Sequence, residues 1–151
     1  IPILSYNYGA NQMERIREGI RFALWMSCVI MAIGTVVFQL LPTQLLYLFD
    51  AKETLLSIGI PALRTISVSF VFAGISMVLC SVFQALGSPN HSLLVTLLRQ
   101  MVILLPLAYG FSSAFGLDMC WWSFPITEVL CALLSLYLLR SVQKRVFLQL
   151  Q

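Results

Sequence analysis

The sequence predicts an all-α protein, a polytopic transmembrane helical bundle. Sixty per cent of its 151 residues are apolar and only 10% are charged, where about 25% charged is usual for a soluble domain. The mean hydropathy is +0.92. Residues 22–49 contain no charge at all, although ~20 residues suffice to cross a bilayer. Short polar turns such as Gly87-Ser88-Pro89-Asn90 separate the apolar stretches. There a glycine able to adopt φ > 0 and a proline of fixed φ stop one helix and reverse the chain.

Taken in order, residues 1–10 read as the tail of an apolar segment, with Tyr6, Asn7 and Tyr8 where the chain leaves the hydrocarbon. Residues 11–21 are polar and basic. Arg15, Arg17 and Arg21 alternate with Glu14 and Glu18, and opposite charges at i, i+3 favour a short surface helix leading into the next span. Residues 22–46 form the first complete crossing, with a kink or exit near Leu41 set by Pro42. A second crossing over 60–86 follows the charged turn Asp50-Ala51-Lys52-Glu53. Counting ~20 residues back from Gly87 puts its hydrocarbon boundary near Ser67, with Arg64 at the interface. Residues 93–117 make the third crossing, with Pro106 and Gly110 as possible kink sites, and 119–139 the fourth. The expectation is thus about four complete spans plus the tail of a fifth.

Charge assigns a sidedness to this arrangement. Residues 11–21 carry three arginines, the 87–92 loop carries no acid, and Arg140, Lys144 and Arg145 follow the last span. Asp50, Glu53 and Asp118 face them against Lys52 alone. Lys and Arg are retained on the cytoplasmic side, which puts the C-terminus of a multi-pass cell-membrane protein in the cytoplasm. An even number of complete spans joins the basic loops, so the assignment is self-consistent.

Several classes of function find no support in these residues. The net charge of +3 is not organised as a basic surface beside aromatic platforms, so no nucleic-acid partner is expected. Cys28, Cys80 and Cys131 lie within apolar runs and Cys120 beside an interfacial tryptophan, with no metal or disulfide spacing. His91 is the only histidine and has no nucleophile in a matching motif. No glycine pattern cradles a phosphate. Neither an enzyme nor a bound cofactor or metal is expected.

Ionisable groups inside the bilayer are costly and usually functional. Glu128 is the foremost candidate, ~13 Å from one boundary of its span and ~18 Å from the other at ~1.5 Å per residue. It reads either as a titrating or cation-contacting group lining a pathway, or as a structural carboxylate paired with Arg99 or capped by a hydroxyl such as Thr127. Pro125 is expected to free a carbonyl nearby. Arg99, with Gln100 beside it, reads either as Glu128's partner or as an arginine snorkelling to headgroups. Arg64 and Gln84 are weaker candidates, an interfacial cation and a helix-packing hydrogen bond.

Four stretches also carry a resemblance: Phe-Gln-Ala-Leu-Gly-Ser-Pro at 83–89, Leu-Arg-Gln at 98–100, Leu-Pro-Leu at 105–107 and Trp-Trp-Ser-Phe-Pro-Ile-Thr-Glu at 121–128. Together with Pro2–Asn11 and Arg15-Ile16-Arg17 they resemble the C-terminal part of a multidrug and toxic compound extrusion (MATE) transporter, of the bacterial MepA-like branch. The resemblance implies a fragment of a twelve-span, two-lobed protein whose N-terminal lobe is missing here. It also implies export of small amphipathic or cationic compounds across the plasma membrane in exchange for H+ or Na+. Sodium-binding members place a carboxylate in the middle of the span corresponding to 72–77. This sequence reads Phe-Ala-Gly-Ile-Ser-Met there, and no acid occurs from Thr54 to Leu117. A coupling group would then be Glu128 or lie in the missing lobe. A lipid-linked saccharide flippase of the same superfamily, a non-transporting membrane subunit and an inert truncated product are the alternatives.

Overall fold

A computed structural model describes residues 1–50 and 52–149, with side chains described through Val146. The described residues form helices and no strands. In order these are α1 (Pro2–Gly9), α2 (Met13–Leu40), α3 (Pro42–Tyr47), α4 (Glu53–Ser67), α5 (Phe70–Ala85) and α6 (Pro89–Leu97). A π-helical segment (Leu98–Leu104), α7 (Leu105–Phe115), α8 (Leu117–Cys120) and α9 (Ser123–Gln149) complete the chain. Three helical stretches are long and apolar enough to cross a membrane: Met13–Leu40, Pro89–Phe115 and Leu117–Val146. The bent pair α4–α5 makes a fourth if it crosses as one span.

Helix α5 is the centre of the bundle, packed between α2 and α9 and returning along α6. Its contact with α2 depends on a missing side chain. A Cβ on Gly74 would lie 2.6 Å from Ser27 Oγ and 2.8 Å from Met31 Cγ, so any larger residue would force those α2 side chains to move. Close approach over small residues is how helices associate in lipid, where apolar burial alone gives no driving force. The apolar core gathers at one end of the bundle, where Leu4, Ile16, Ile20, Phe83, Val95 and Val142 meet. At that end Gly87 (φ +69) closes α5. Ser88 N–H donates to the Phe83 carbonyl at 2.8 Å and Gly87 N–H to that of Gln84 at 3.2 Å, a Schellman turn. Pro89 then starts α6 at a position that needs no N–H donor.

The polar residues 11–21 do not form a separate surface helix; α2 runs unbroken from Met13 to Leu40, where Leu41 caps it before Pro42. The chain between Glu53 and Ala85 breaks at Val68–Ser69 and bends by 54°. Side chains of α2 meet the backbone freed there. Gln39 Nε2 donates to the Arg64 carbonyl at 2.7 Å, and Thr35 Oγ1 shares its proton between the Ser67 carbonyl at 3.0 Å and the Met31 carbonyl at 2.9 Å. Ser67 Oγ and Ser69 Oγ donate back to the Arg64 and Ile66 carbonyls. Carbonyls released at a kink inside hydrocarbon need such partners.

Pro106 lies within the continuous rod Pro89–Phe115. Its ring presses on the carbonyl four residues back, at Val102, and it offers no N–H to that turn. The helix accommodates it by widening to π geometry over Leu98–Leu104. Pro125 behaves differently from the expectation. The chain turns at Trp121–Trp122 and restarts as α9 at Ser123, so Pro125 falls in a first turn, and Phe124 N–H already takes the Trp121 carbonyl at 3.3 Å.

Gly74→Ala in the purified protein should lower thermal stability, by about 1–3 kcal/mol for an overpacked contact. Gly110→Ala, whose Cβ meets nothing within 4 Å, should leave it unchanged or slightly raised. Equal melting shifts for the two variants would contradict the close α2–α5 contact.

Candidate functional site: a charged pair inside the bundle

Arg99 stands at the second position of the π-helical segment, and Glu128 lies about one and a half turns into α9. The wider π turn rotates the side chains that precede it relative to those that follow. Arg99 Nη2 thereby meets Glu128 Oε1 at 2.7 Å, the only ion pair among the described residues. The side chains are 24% and 10% exposed respectively. A pair this short is a charge-assisted hydrogen bond as well as a Coulombic contact. Within the low-dielectric interior neither partner is tolerable without the other.

The other carboxylate oxygen turns toward α5. Ser76 Oγ lies 3.5 Å from Glu128 Oε2, while its hydroxyl is also within reach of the Phe72 and Ala73 carbonyls at 3.2 and 3.1 Å. One hydroxyl proton is shared among three acceptors, so Ser76 supports the carboxylate weakly. Thr127, expected as a capping hydroxyl, does not reach it. Thr127 Oγ1 is buried with no hydrogen-bond partner, and so is Ser135 Oγ two turns further along α9. Cys131, one turn from Glu128, is fully buried. Glu128 therefore joins the π-helical segment, α5 and α9, on a seam that holds more hydroxyls than bonds.

The other sequence candidates lie apart from this pair. Gln100 is exposed beside Arg99. Gln84 Nε2 donates to Ser92 Oγ at 3.0 Å, tying α5 to α6. Arg64 is exposed in the last turn of α4, and it is its backbone carbonyl that the α2 clamp uses. His91 rests against Phe83 with ring centroids 5.9 Å apart. Among the described residues no three metal-ligating side chains come together. Ser76 is the member of the site that sequence reasoning did not single out. Its signal was slight, a lone hydroxyl two residues from Gly74 in an otherwise apolar stretch.

Comparison with known proteins agrees with this architecture. The family model described as MatE matches residues 1–110. The multidrug export protein MepA of Staphylococcus haemolyticus is 23% identical over 145 residues, which cover 96% of this chain and 32% of that protein. MepA of Staphylococcus aureus strain N315 is 27% identical over 144 residues, 93% of this chain and 32% of the relative. The chain thus spans about a third of the length of the curated relatives it matches. Among solved structures, the Vibrio cholerae MATE transporter VcmN in its bent form superposes with a TM-score of 0.91 at 20% identity, covering 99% of this chain and 34% of that one. The MATE multidrug transporter DinF-BH gives 0.81 at 32% identity, covering 90% and 30%.

Glu128→Gln should destabilise the protein by leaving Arg99 without a counter-charge. The loss should lie toward the lower end of the ~3–5 kcal/mol typical of a broken buried pair, because Arg99 is 24% exposed. Arg99→Gln should behave likewise. The double variant Glu128→Gln/Arg99→Gln should regain most of the loss in a thermal double-mutant cycle. Strictly additive losses would contradict the pairing.

Proposed function

The chain belongs to the MatE family, and from that membership we propose that it forms the C-terminal part of a multidrug efflux antiporter. The whole protein exports small amphipathic or cationic compounds across the cell membrane, in exchange for protons or sodium ions. The observation that carries the coupling half of this reading is the Arg99–Glu128 pair. It joins two membrane-length helical stretches and lies away from the charged ends of both.

The pair offers a way for an ion to act on the fold. A proton bound at Glu128, or a sodium ion taking the place of the guanidinium, cancels the attraction between the rod Pro89–Phe115 and α9. Arg99 must then turn outward, toward the surface on which Gln100 and Met101 are exposed. The rod is thereby released from α9 at its π-helical segment. Rocking of one repeat or lobe against another around a central site is the general mode of secondary transporters. A switchable contact between two helices of one lobe is suited to bias that motion. Exposed Phe72, Met77 and Met101 offer aromatic and polarizable surface for a flat organic cation. The concentration of bases at one end of the bundle supports a cytoplasmic C-terminus.

Efflux by the full-length transporter in proteoliposomes tests the coupling role. In the double variant Glu128→Gln/Arg99→Gln, where no charge is stranded, gradient-driven efflux should fall at least tenfold while substrate binding persists. Wild-type efflux in that variant would make the pair purely structural. Sidedness follows separately: a cysteine replacing Lys144 should be labelled only from the cytoplasm and one replacing Glu53 only from outside. Labelling of both from one face would contradict the arrangement.

A further inference from the structure

The N-terminal end of α2 and the C-terminal end of α9 come together at one end of the bundle, where Ile16 and Ile20 of α2 share the core with Val142 and Val146 of α9. That end holds six of the nine basic residues: Arg15, Arg17, Arg21, Arg140, Lys144 and Arg145. Only Glu14 and Glu18 oppose them there, so the end carries a surplus of four positive charges (6 − 2). Between the helices runs an open groove of ≈ 350 Å³ lined by Arg17, Ile20, Arg21, Leu24 and Gln143. Among the described residues no carboxylate lines it. Glu14 and Glu18 share a separate groove with the two arginines. Neither comes within ion-pair distance of them, although the i, i+3 spacing permits it.

We infer that this groove between α2 and α9 binds the headgroup of an anionic phospholipid. Arg17 and Arg21 stand one helical turn apart, and both guanidiniums are exposed without an ion-pair partner among the described residues. Each presents a planar fork of donors that matches phosphate oxygens. Gln143 offers an amide to a neighbouring glycerol or ester oxygen. Ile20 floors the groove between the two arginines, and Leu24, one turn further along α2, continues it as apolar surface toward the membrane interior, where the first methylenes of an acyl chain lie. Trp25, exposed one turn beyond Arg21, is the amphipathic ring expected at headgroup depth. The groove is therefore cationic at one end and apolar at the other, in the order in which a phospholipid is built. Arg140 and Lys144 line an adjacent groove on α9 with Tyr137 and Ser141. They add to the field that gathers anionic lipid at this end. The inference rests on the membrane reading of the chain and is independent of any coupling role for Glu128.

Native mass spectrometry of the full-length protein, released from nanodiscs of mixed phosphatidylglycerol and phosphatidylcholine, tests this directly. The wild type should retain phosphatidylglycerol in preference to phosphatidylcholine. Retention should fall about 5-fold for each of Arg17→Gln and Arg21→Gln and about 30-fold for both. Gln143→Trp, which fills the groove without altering a charge, should reduce retention as well, so the outcome does not hang on the arginine variants folding. Arg145→Gln, outside the groove, should have a smaller effect than either groove arginine. Excess inorganic phosphate should not displace the bound lipid. Equal retention of the two lipids by the wild type, undiminished retention in Gln143→Trp, or full displacement by phosphate would each overturn the assignment.

Discussion

The charge on Glu128 can stay inside this bundle only if Arg99 reaches it, and much of the surrounding geometry follows from that requirement. Arg99 comes from a helix that Pro106 has already disturbed, and the π widening upstream of the proline contains the arginine itself. On the opposite side α9 must keep its hydroxyl-bearing face toward α5, where Ser76 receives the second carboxylate oxygen. A buried pair of this kind is weak evidence for stability, since apolar replacements can be as stable. What it supplies here is register, because one short contact orients two long helical stretches that apolar packing in lipid would leave free to slide and rotate.

A second polar device holds the bend between α4 and α5. The bend at Val68–Ser69 exposes backbone carbonyls that water cannot satisfy in hydrocarbon. Thr35 and Gln39 of α2 bond to carbonyls at that bend, so α2 and the break are mutually dependent. The contact at Gly74 draws α2 and α5 together further along. The clamp holds α2 to α4 and the close contact holds it to α5, while its opposite surface, from Phe22 through Trp25, Ile30, Ile33 and Val36, stays apolar and exposed.

Much of this was legible because charge and backbone punctuation stand out in an apolar chain. Glu128 announced itself as an ionised group far from the ends of its stretch, and Arg99 stood out as the cation within an apolar stretch that could pair with it. Gly87 and Pro89 marked a turn that the structure closes as expected. The π-helical segment was not legible, since an apolar run shows no periodicity that distinguishes α from π winding; Pro106 was its trace, read only as a possible kink. The bend at Val68–Ser69 was hidden by composition, because the partners that make it tolerable, Thr35 and Gln39, lie about thirty residues away in the chain. Pro125 was misjudged because the restart of α9 at Ser123 depends on the turn at Trp121–Trp122, which apolar aromatic residues do not announce.

A side-chain-resolution electron cryomicroscopy map of the full-length protein in lipid nanodiscs tests the central claim most directly. Continuous density should join Arg99 to Glu128, with Leu98–Leu104 wound as a π segment and Ser76 beside the carboxylate. A regular α-helix through those residues, with Arg99 extended toward the headgroups and Glu128 facing another partner, would contradict it.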